Sequence, residues 1–218
     1  FHRDAQGAPV EGFRQSWQLA GLAYGGALPE GWGSGARKID FYDVKGDLEA
    51  LLAPAQLRFE KLVHPALHPG RAARVLLDGR DIGCLGELHP EWIQKYDLPQ
   101  AAIVFEIDFS AVTAVNVPAY AEVSKFPPVI RDLAIVVDQS LALQTLLDAL
   151  KGQFPALVQD VQLFDVYTGK GVPENKKSLA FRIVMQDTQR TLQDTEVDLA
   201  MQQLVSCLEQ AFAAQLRA

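Results

Sequence analysis

From Lys125 onward the hydrophobic period changes in a fixed order, and that order leaves few folds open. Leu133, Ile135 and Val137 alternate with Ala134 and Val136, the period of two that a strand imposes on its side chains. Leu143, Leu146, Leu147, Leu150 and Phe154 then recur at helical spacing and predict a helix with one apolar face. Two more strands, Val161 to Tyr167 and Ser178 to Gln186, flank the turn-rich segment Thr168 to Asn175. A long helix starting near Asp194 aligns Val197, Met201, Leu204, Leu208 and Phe212, and Thr191-Leu192-Gln193-Asp194 offers a capping-box variant at its start. A short strand at Gln215 to Arg217 completes the order βαββαβ.

The residues before this region read differently. Ser16 to Tyr24 is predicted as a strand, Gly25 to Ala36 as a glycine-rich loop, and Asp43 to Leu52 as a short helix. Arg74 to Leu77 and Ile82 to Leu88 flank the turn signal Asp78-Gly79 and predict a hairpin. Pro90 opens a helix through Tyr96, and Ala102 to Phe109 alternates as a strand with Ile103, Phe105 and Ile107 on one side. The first half is therefore mixed, with a mainly antiparallel sheet. Small residues and Pro118 in Ala111 to Ala121, followed by Pro127-Pro128, place a boundary near Ser124 and predict domains 1–124 and 125–218.

Charge narrows the function classes. The 218 residues carry a formal charge of −7, and both halves are acidic, with eleven basic against sixteen acidic residues before Lys125 and nine against eleven from Lys125 on. Such a chain does not hold nucleic acid mainly by counterion release, so any RNA contact must be local and shaped. Cys84 and Cys207 are too far apart for a CxxC pair and suggest neither a disulfide framework nor a zinc ribbon. The two unpaired cysteines fit a reducing cytoplasm, and no apolar run approaches the roughly 20 residues of a membrane span, so no membrane role is expected. A start on Phe1 rather than Met suggests a piece of a longer protein.

Strand alternation in the second half proposes a site. Leu179, Phe181, Ile183 and Met185 are bulky and should lie under the helices, which leaves Ser178, Ala180, Arg182 and Val184 on the open face. Phe164 and Val166 fit the helix side, turning Asp165 and Tyr167 to the open face near Ala134 and Ser178. That set suits one unstacked base: a ring for stacking, a carboxylate to accept from a guanine N–H edge, and an alanine that leaves room. The alternative is an exposed sheet face whose polar groups only meet water. Lys125, Arg131, Lys170, Lys176, Lys177 and Arg190 are candidate phosphate contacts, with Lys170, Lys176 and Lys177 the most patch-like; Arg131 and Asp132 could instead form a structural ion pair.

Several segments together resemble a known family. Phe126-Pro127-Pro128-Val129-Ile130-Arg131-Asp132-Leu133-Ala134 resembles the opening of the ferredoxin-fold anticodon-binding domain. Phe164 to Gly169, Lys176 to Arg182, and Arg190-Thr191-Leu192 with Asp194 and Glu196 follow in that family's order and spacing. Asp40 to Gly46, His68 to Ala73 and Gly83 to Pro90 are similar to the degenerate catalytic-like module of the bacterial-type phenylalanine–tRNA ligase β subunit. Single-chain organellar enzymes of this specificity would lack that module before the last domain. The resemblance implies an α+β chain, an incomplete class II synthetase catalytic-like module followed by a ferredoxin-like domain, with no catalytic or editing centre of its own. It implies that Ala134, Asp165, Tyr167 and Ser178 face the first anticodon base of tRNA(Phe). A ligase α subunit in an α2β2 assembly is the implied protein partner, and ATP and magnesium belong to that holoenzyme rather than to this chain.

Competing motifs are weaker. Gly31 to Arg37 has the look of a phosphate-cradling loop, but no helix start follows at Lys38-Ile39-Asp40, so a plain loop is expected. His64, His68 and His89 each precede a proline; Pro65 and Pro69 interrupt the helix that would put the first two on one face, and turn or capping roles are expected instead of metal ligation. No Ser-His-Asp or Cys-His arrangement stands out. A generic RRM-type binder of single-stranded RNA shares the βαββαβ order, but Lys177 to Val184 lacks the glycine and paired aromatics of its signature strand. A protein-interaction module is the other alternative, favoured by the acidic charge.

Overall fold

The computed structural model describes residues 2–3, 13–14, 16–29, 31–33, 35–114, 120, 123–151 and 156–217. They fall into two compact units, Phe1–Ala119 and Tyr120–Ala218.

In the first unit, β1 (His2–Arg3) pairs with β2 (Phe13–Arg14). A five-stranded antiparallel sheet follows, built from β3 (Gln18–Ala23), β4 (Leu57–Lys61), β5 (Leu67–Leu77), β6 (Arg80–Leu88) and β7 (Ile103–Asp108) in the order β3-β7-β6-β5-β4. Helix α1 (Phe41–Leu52) lays Val44, Leu48 and Leu52 against Val75, Leu85, Ile103 and Ile107. Short helices α2 (Pro90–Lys95) and α3 (Phe109–Thr113) flank β7. Asp40 starts α1 reciprocally: its carboxylate accepts from the N–H groups of Tyr42 and Asp43 at 2.8 and 3.2 Å, and Asp43 accepts from the Asp40 N–H at 2.8 Å. Between β5 and β6, Asp78 and Gly79 both take positive φ, 51° and 77°, which matches the twist of a two-residue hairpin. At Gly83 φ is 147° and a Cβ would lie 2.0 Å from the Glu106 carbonyl oxygen, so only glycine fits.

The second unit is βαββαβ. Its strands β8 (Val129–Asp138), β9 (Val158–Tyr167), β10 (Lys176–Met185) and β11 (Gln215–Leu216) form an antiparallel sheet in the order β11-β8-β10-β9. Helices α4 (Leu143–Lys151) and α5 (Asp194–Phe212) supply Leu146, Leu150, Val197, Ala200, Leu204 and Leu208 to a core shared with Leu133, Ile135, Val137, Leu179, Phe181, Ile183 and Met185. Each large side chain removed from water this way contributes roughly 1.5–3 kcal/mol.

Agreement with the alternation is close, and the departures have physical reasons. Strand β4 was not expected, because Arg58, Glu60 and Lys61 dilute its apolar set; it is an edge strand with only one neighbour to satisfy. The hairpin is longer than Arg74 to Leu88, since β5 already begins at Leu67 and crosses Pro69 with a register shift between Leu67 and Ala72. The expected helical contribution of Phe154 lies outside the described residues.

Candidate nucleic-acid interface

Strand pairing fixes which side chains share the open face of the second sheet. Ser178 stands opposite Val136 on one side and Tyr167 on the other, while Ala180 stands opposite Ala134 and Asp165. The four residues Ala134, Asp165, Tyr167 and Ser178 thus occupy two adjacent rows across the three longest strands. One row further on, Arg182 stands opposite Asp132 and Gln162. The Arg182 guanidinium donates to both Asp132 carboxylate oxygens, at 3.1 and 3.2 Å.

Two features of this face were not legible in the alternation. Arg217, whose N–H donates to the Ala134 carbonyl at 2.9 Å, places its guanidinium 4.9 Å from the centroid of the Tyr167 ring. The two residues come from opposite edges of the sheet, about three strand spacings or roughly 14 Å apart, so their side chains meet above the central strands. This accounts for Ser178 and Val136, only 3% and 8% exposed although they belong to the uncovered face. The Tyr167 hydroxyl donates to the Lys170 carbonyl at 3.2 Å, and Gly169 makes room for it: a Cβ there would lie 2.9 Å from the hydroxyl oxygen.

The second feature is a correction. Phe164 does not lie on the helix side with Val166. Ala180 opposes Asp165 and Phe181 opposes Leu163, so Phe164 is an extra residue in a β-bulge. The residue is 52% exposed, and its ring lies with its centroid 5.2 Å from the Arg182 guanidinium, on the open face. Val166 does oppose Leu179 and keeps the helix side, though as part of an edge strand it remains 53% exposed.

The candidate phosphate contacts do not gather into one patch. Lys176 opposes Asp138 and falls in line with Ser178 on the open face, whereas Lys177 opposes buried Val137 and its Nζ donates to the Leu141 carbonyl at 2.5 Å. Asp138 is held below the usual carboxylate range first by the Ser140 hydroxyl, with the Lys176 and Lys177 charges adding to the effect. Arg131 lies 3.7 Å from Asp194; the pair expected with Asp132 belongs instead to Arg182. Arg190 grips Glu196, which also accepts the Gln193 N–H at 3.0 Å and thereby secures the start of α5. The Arg190 bond holds Glu196 at about 2. Lys125 and Lys170 are exposed.

In the first unit, the arginine that ends the glycine-rich loop is engaged elsewhere. Arg37 donates to both oxygens of Asp43, at 2.7 and 2.5 Å, and holds that carboxyl at about 2. His64, His68 and His89 each accept a backbone N–H two residues on, from Ala66, Gly70 and Glu91 at 3.2, 3.0 and 3.2 Å, so their Nδ1 atoms shape turns. Among the described residues no three His, Cys, Asp or Glu side chains form a metal-holding group, and no helix is long and apolar enough to cross a membrane.

Comparison with known proteins converges on one family. Residues 1–109 match the model described as the phenylalanyl tRNA synthetase beta chain CLM domain, and residues 124–217 match the ferredoxin-fold anticodon binding domain. The phenylalanine–tRNA ligase beta subunit of Dechloromonas aromatica is 83% identical over 218 residues, covering 100% of this chain and 28% of that protein. Its counterpart from Aromatoleum aromaticum is 53% identical over 217 residues, covering 100% of this chain and 27% of that protein. The one from Ralstonia nicotianae is 50% identical over 231 residues, covering 100% of this chain and 29% of that protein. The chain therefore spans little more than a quarter of the length of these relatives. Matched along both units, with the second folded as the βαββαβ sheet described above, the chain belongs to the phenylalanyl-tRNA synthetase β-chain family and carries that family's ferredoxin-fold anticodon-binding domain.

Proposed function

We propose that this chain is the part of an ATP-dependent phenylalanine–tRNA ligase that holds the anticodon region of tRNA(Phe), with Ala134, Asp165 and Tyr167 facing the first anticodon base and Ser178 reaching it once Arg217 moves off the Tyr167 ring. The observation that supports this reading is the juxtaposition of Tyr167 and Asp165 with the small residues Ala134 and Ala180 on two adjacent rows of an uncovered sheet. An aromatic ring provides sequence-tolerant stacking, and a carboxylate beside it accepts from a guanine but finds no matching donor pair on adenine. Lys125, Lys170 and Lys176 are the cations best placed to approach the backbone. Lys177, Arg131 and Arg190 must first release the partners they now hold.

In this reading the reaction itself takes place on a partner α subunit in an α2β2 assembly in the cytoplasm, and ATP and magnesium act there. The arginine that ends the glycine-rich loop, Arg37, is paired with Asp43 at the start of α1. The chain's own task is to position: it adds affinity and selects the tRNA.

The test is tRNA binding by the complete ligase carrying Tyr167→Ala or Asp165→Ala. Tyr167→Ala should weaken binding roughly 5- to 100-fold, the range one base–aromatic stack supplies. Asp165→Ala should erase the preference for guanine over adenine at the first anticodon position. Unchanged binding in the first variant and unchanged preference in the second would overturn the assignment.

A further inference from the structure

We propose that Phe164 is a second stacking platform, taking another unpaired base of the same anticodon loop beside the one that Tyr167 takes; the inference rests on the anticodon reading above. The bulge in β9 inserts Phe164 between Leu163, which opposes Phe181, and Asp165, which opposes Ala180. The ring therefore turns to the open face without disturbing the residues on either side. It lies over the Arg182 guanidinium, 5.2 Å from it, and 52% of the residue is in contact with water.

An aromatic ring of this size in water costs free energy unless something covers it, and three observations indicate a base. Arg182 is pinned by two hydrogen bonds to Asp132, so the guanidinium beneath the ring is fixed in plane and the ring rests on a prepared support. That pairing also neutralises the arginine, which leaves the ring face and not a free charge as the recognition element. The patch is continuous with the first site: Asp165 is the next residue, and Tyr167 is three residues along the strand, about 10 Å away at the usual rise per residue. Open βαββαβ sheets that bind single-stranded RNA stack two or three bases on separate aromatics. Here the signature strand β10 supplies none on its open face, where it carries Lys176, Ser178, Ala180, Arg182 and Val184. Its edge neighbour β9 supplies both.

Recognition at Phe164 is by stacking alone and tolerates any base, whereas Tyr167 has Asp165 beside it and discriminates. The two platforms thus divide the work into affinity at one and selection at the other.

The experiment places 2-aminopurine at each anticodon-loop position of the tRNA in turn and reads its fluorescence on the complete ligase at saturating protein, where stacking quenches it. Two positions should be quenched. Phe164→Leu should restore fluorescence at one of them and lower tRNA affinity roughly tenfold; Tyr167→Leu should restore it at the other; and Phe164→Tyr should keep the quench. If Tyr167→Leu frees one position while Phe164→Leu leaves all positions quenched as before, this inference fails and the anticodon reading stands. If neither variant changes any position, both fail.

Discussion

The five-stranded sheet turns Ala20, Leu22, Val104 and Cys84 away from α1, whereas the four-stranded sheet turns Asp132, Arg182, Asp165 and Tyr167 away from its two helices. Both sheets are antiparallel, and both bury an alternate set of Leu, Ile, Val and Phe under helices. Burial constrains that set and says little about chemistry. The other set is free to vary, and there the two units part. The first sheet's outer face joins a groove of small and aliphatic residues to a row in which Glu60, Arg74, Cys84 and Glu106 stand side by side, and its one thiol is pushed up by burial and by the Glu106 and Asp81 charges, so it stays protonated. The second face also has carboxylates and guanidinia, but it adds the rings of Phe164 and Tyr167. A sheet offers base stacking only where its uncovered rows carry rings.

Breaking the covered face of either sheet should cost far more stability than anything done to the open rows. Phe181→Ala, at a residue 1% exposed, should destabilise the second unit by about 3–5 kcal/mol. Chemical denaturation gives the size, and hydrogen exchange should show lost protection in β8 to β10 with β5 to β7 unaffected. Gly83→Ala is the counterpart in the first unit: a methyl group would meet the Glu106 carbonyl across the ladder. It should cost roughly 2–3 kcal/mol and reverse the exchange pattern. Protection lost in both units from either change would show that they do not unfold separately.

Smaller changes sharpen the comparison at the helix starts. Asp40→Ala removes the carboxylate that caps α1 and should cost about 1 kcal/mol, read as a lower denaturation midpoint at unchanged slope. In the second unit Glu196 is depressed from 4.5 to about 2 by Arg190 and the Gln193 N–H. A depressed carboxyl stabilises the fold fully above its unfolded value and loses that contribution as the pH falls through the folded one. Melting temperature should therefore decline from about pH 4.5 toward about pH 2, and Glu196→Gln should flatten that part of the curve slightly.

What could be read from the residues was the covered face. Leu133, Ile135 and Val137 alternate strictly, and the helix positions Val197, Leu204 and Leu208 follow at the right spacing, so element order and core fell out together. Asp165, Tyr167, Ala134 and Ser178 came out on the other face by the same parity. Parity failed where the chain departs from it. Phe164 sits in a bulge, which adds a residue without leaving a mark in the pattern. Lys176 and Lys177 looked like one patch along the sequence, but neighbours on a strand point to opposite faces. Arg217 was invisible for another reason: its partner, Tyr167, is brought to it only by the tertiary order β11-β8-β10-β9.

The bulge at Phe164 also bears on how such a surface can be altered. With Phe164 left out, Leu163, Asp165, Val166 and Tyr167 would alternate without interruption against Phe181, Ala180, Leu179 and Ser178. The residue is therefore an insertion whose removal leaves the reading frame of the strand intact, unlike deletion of a paired residue within β9, which would swap the two faces for everything beyond it. A ring gained this way adds contact area to the sheet without taking a position from the core, and a chain lacking Phe164 is expected to keep its fold and its Tyr167 row while losing one ring.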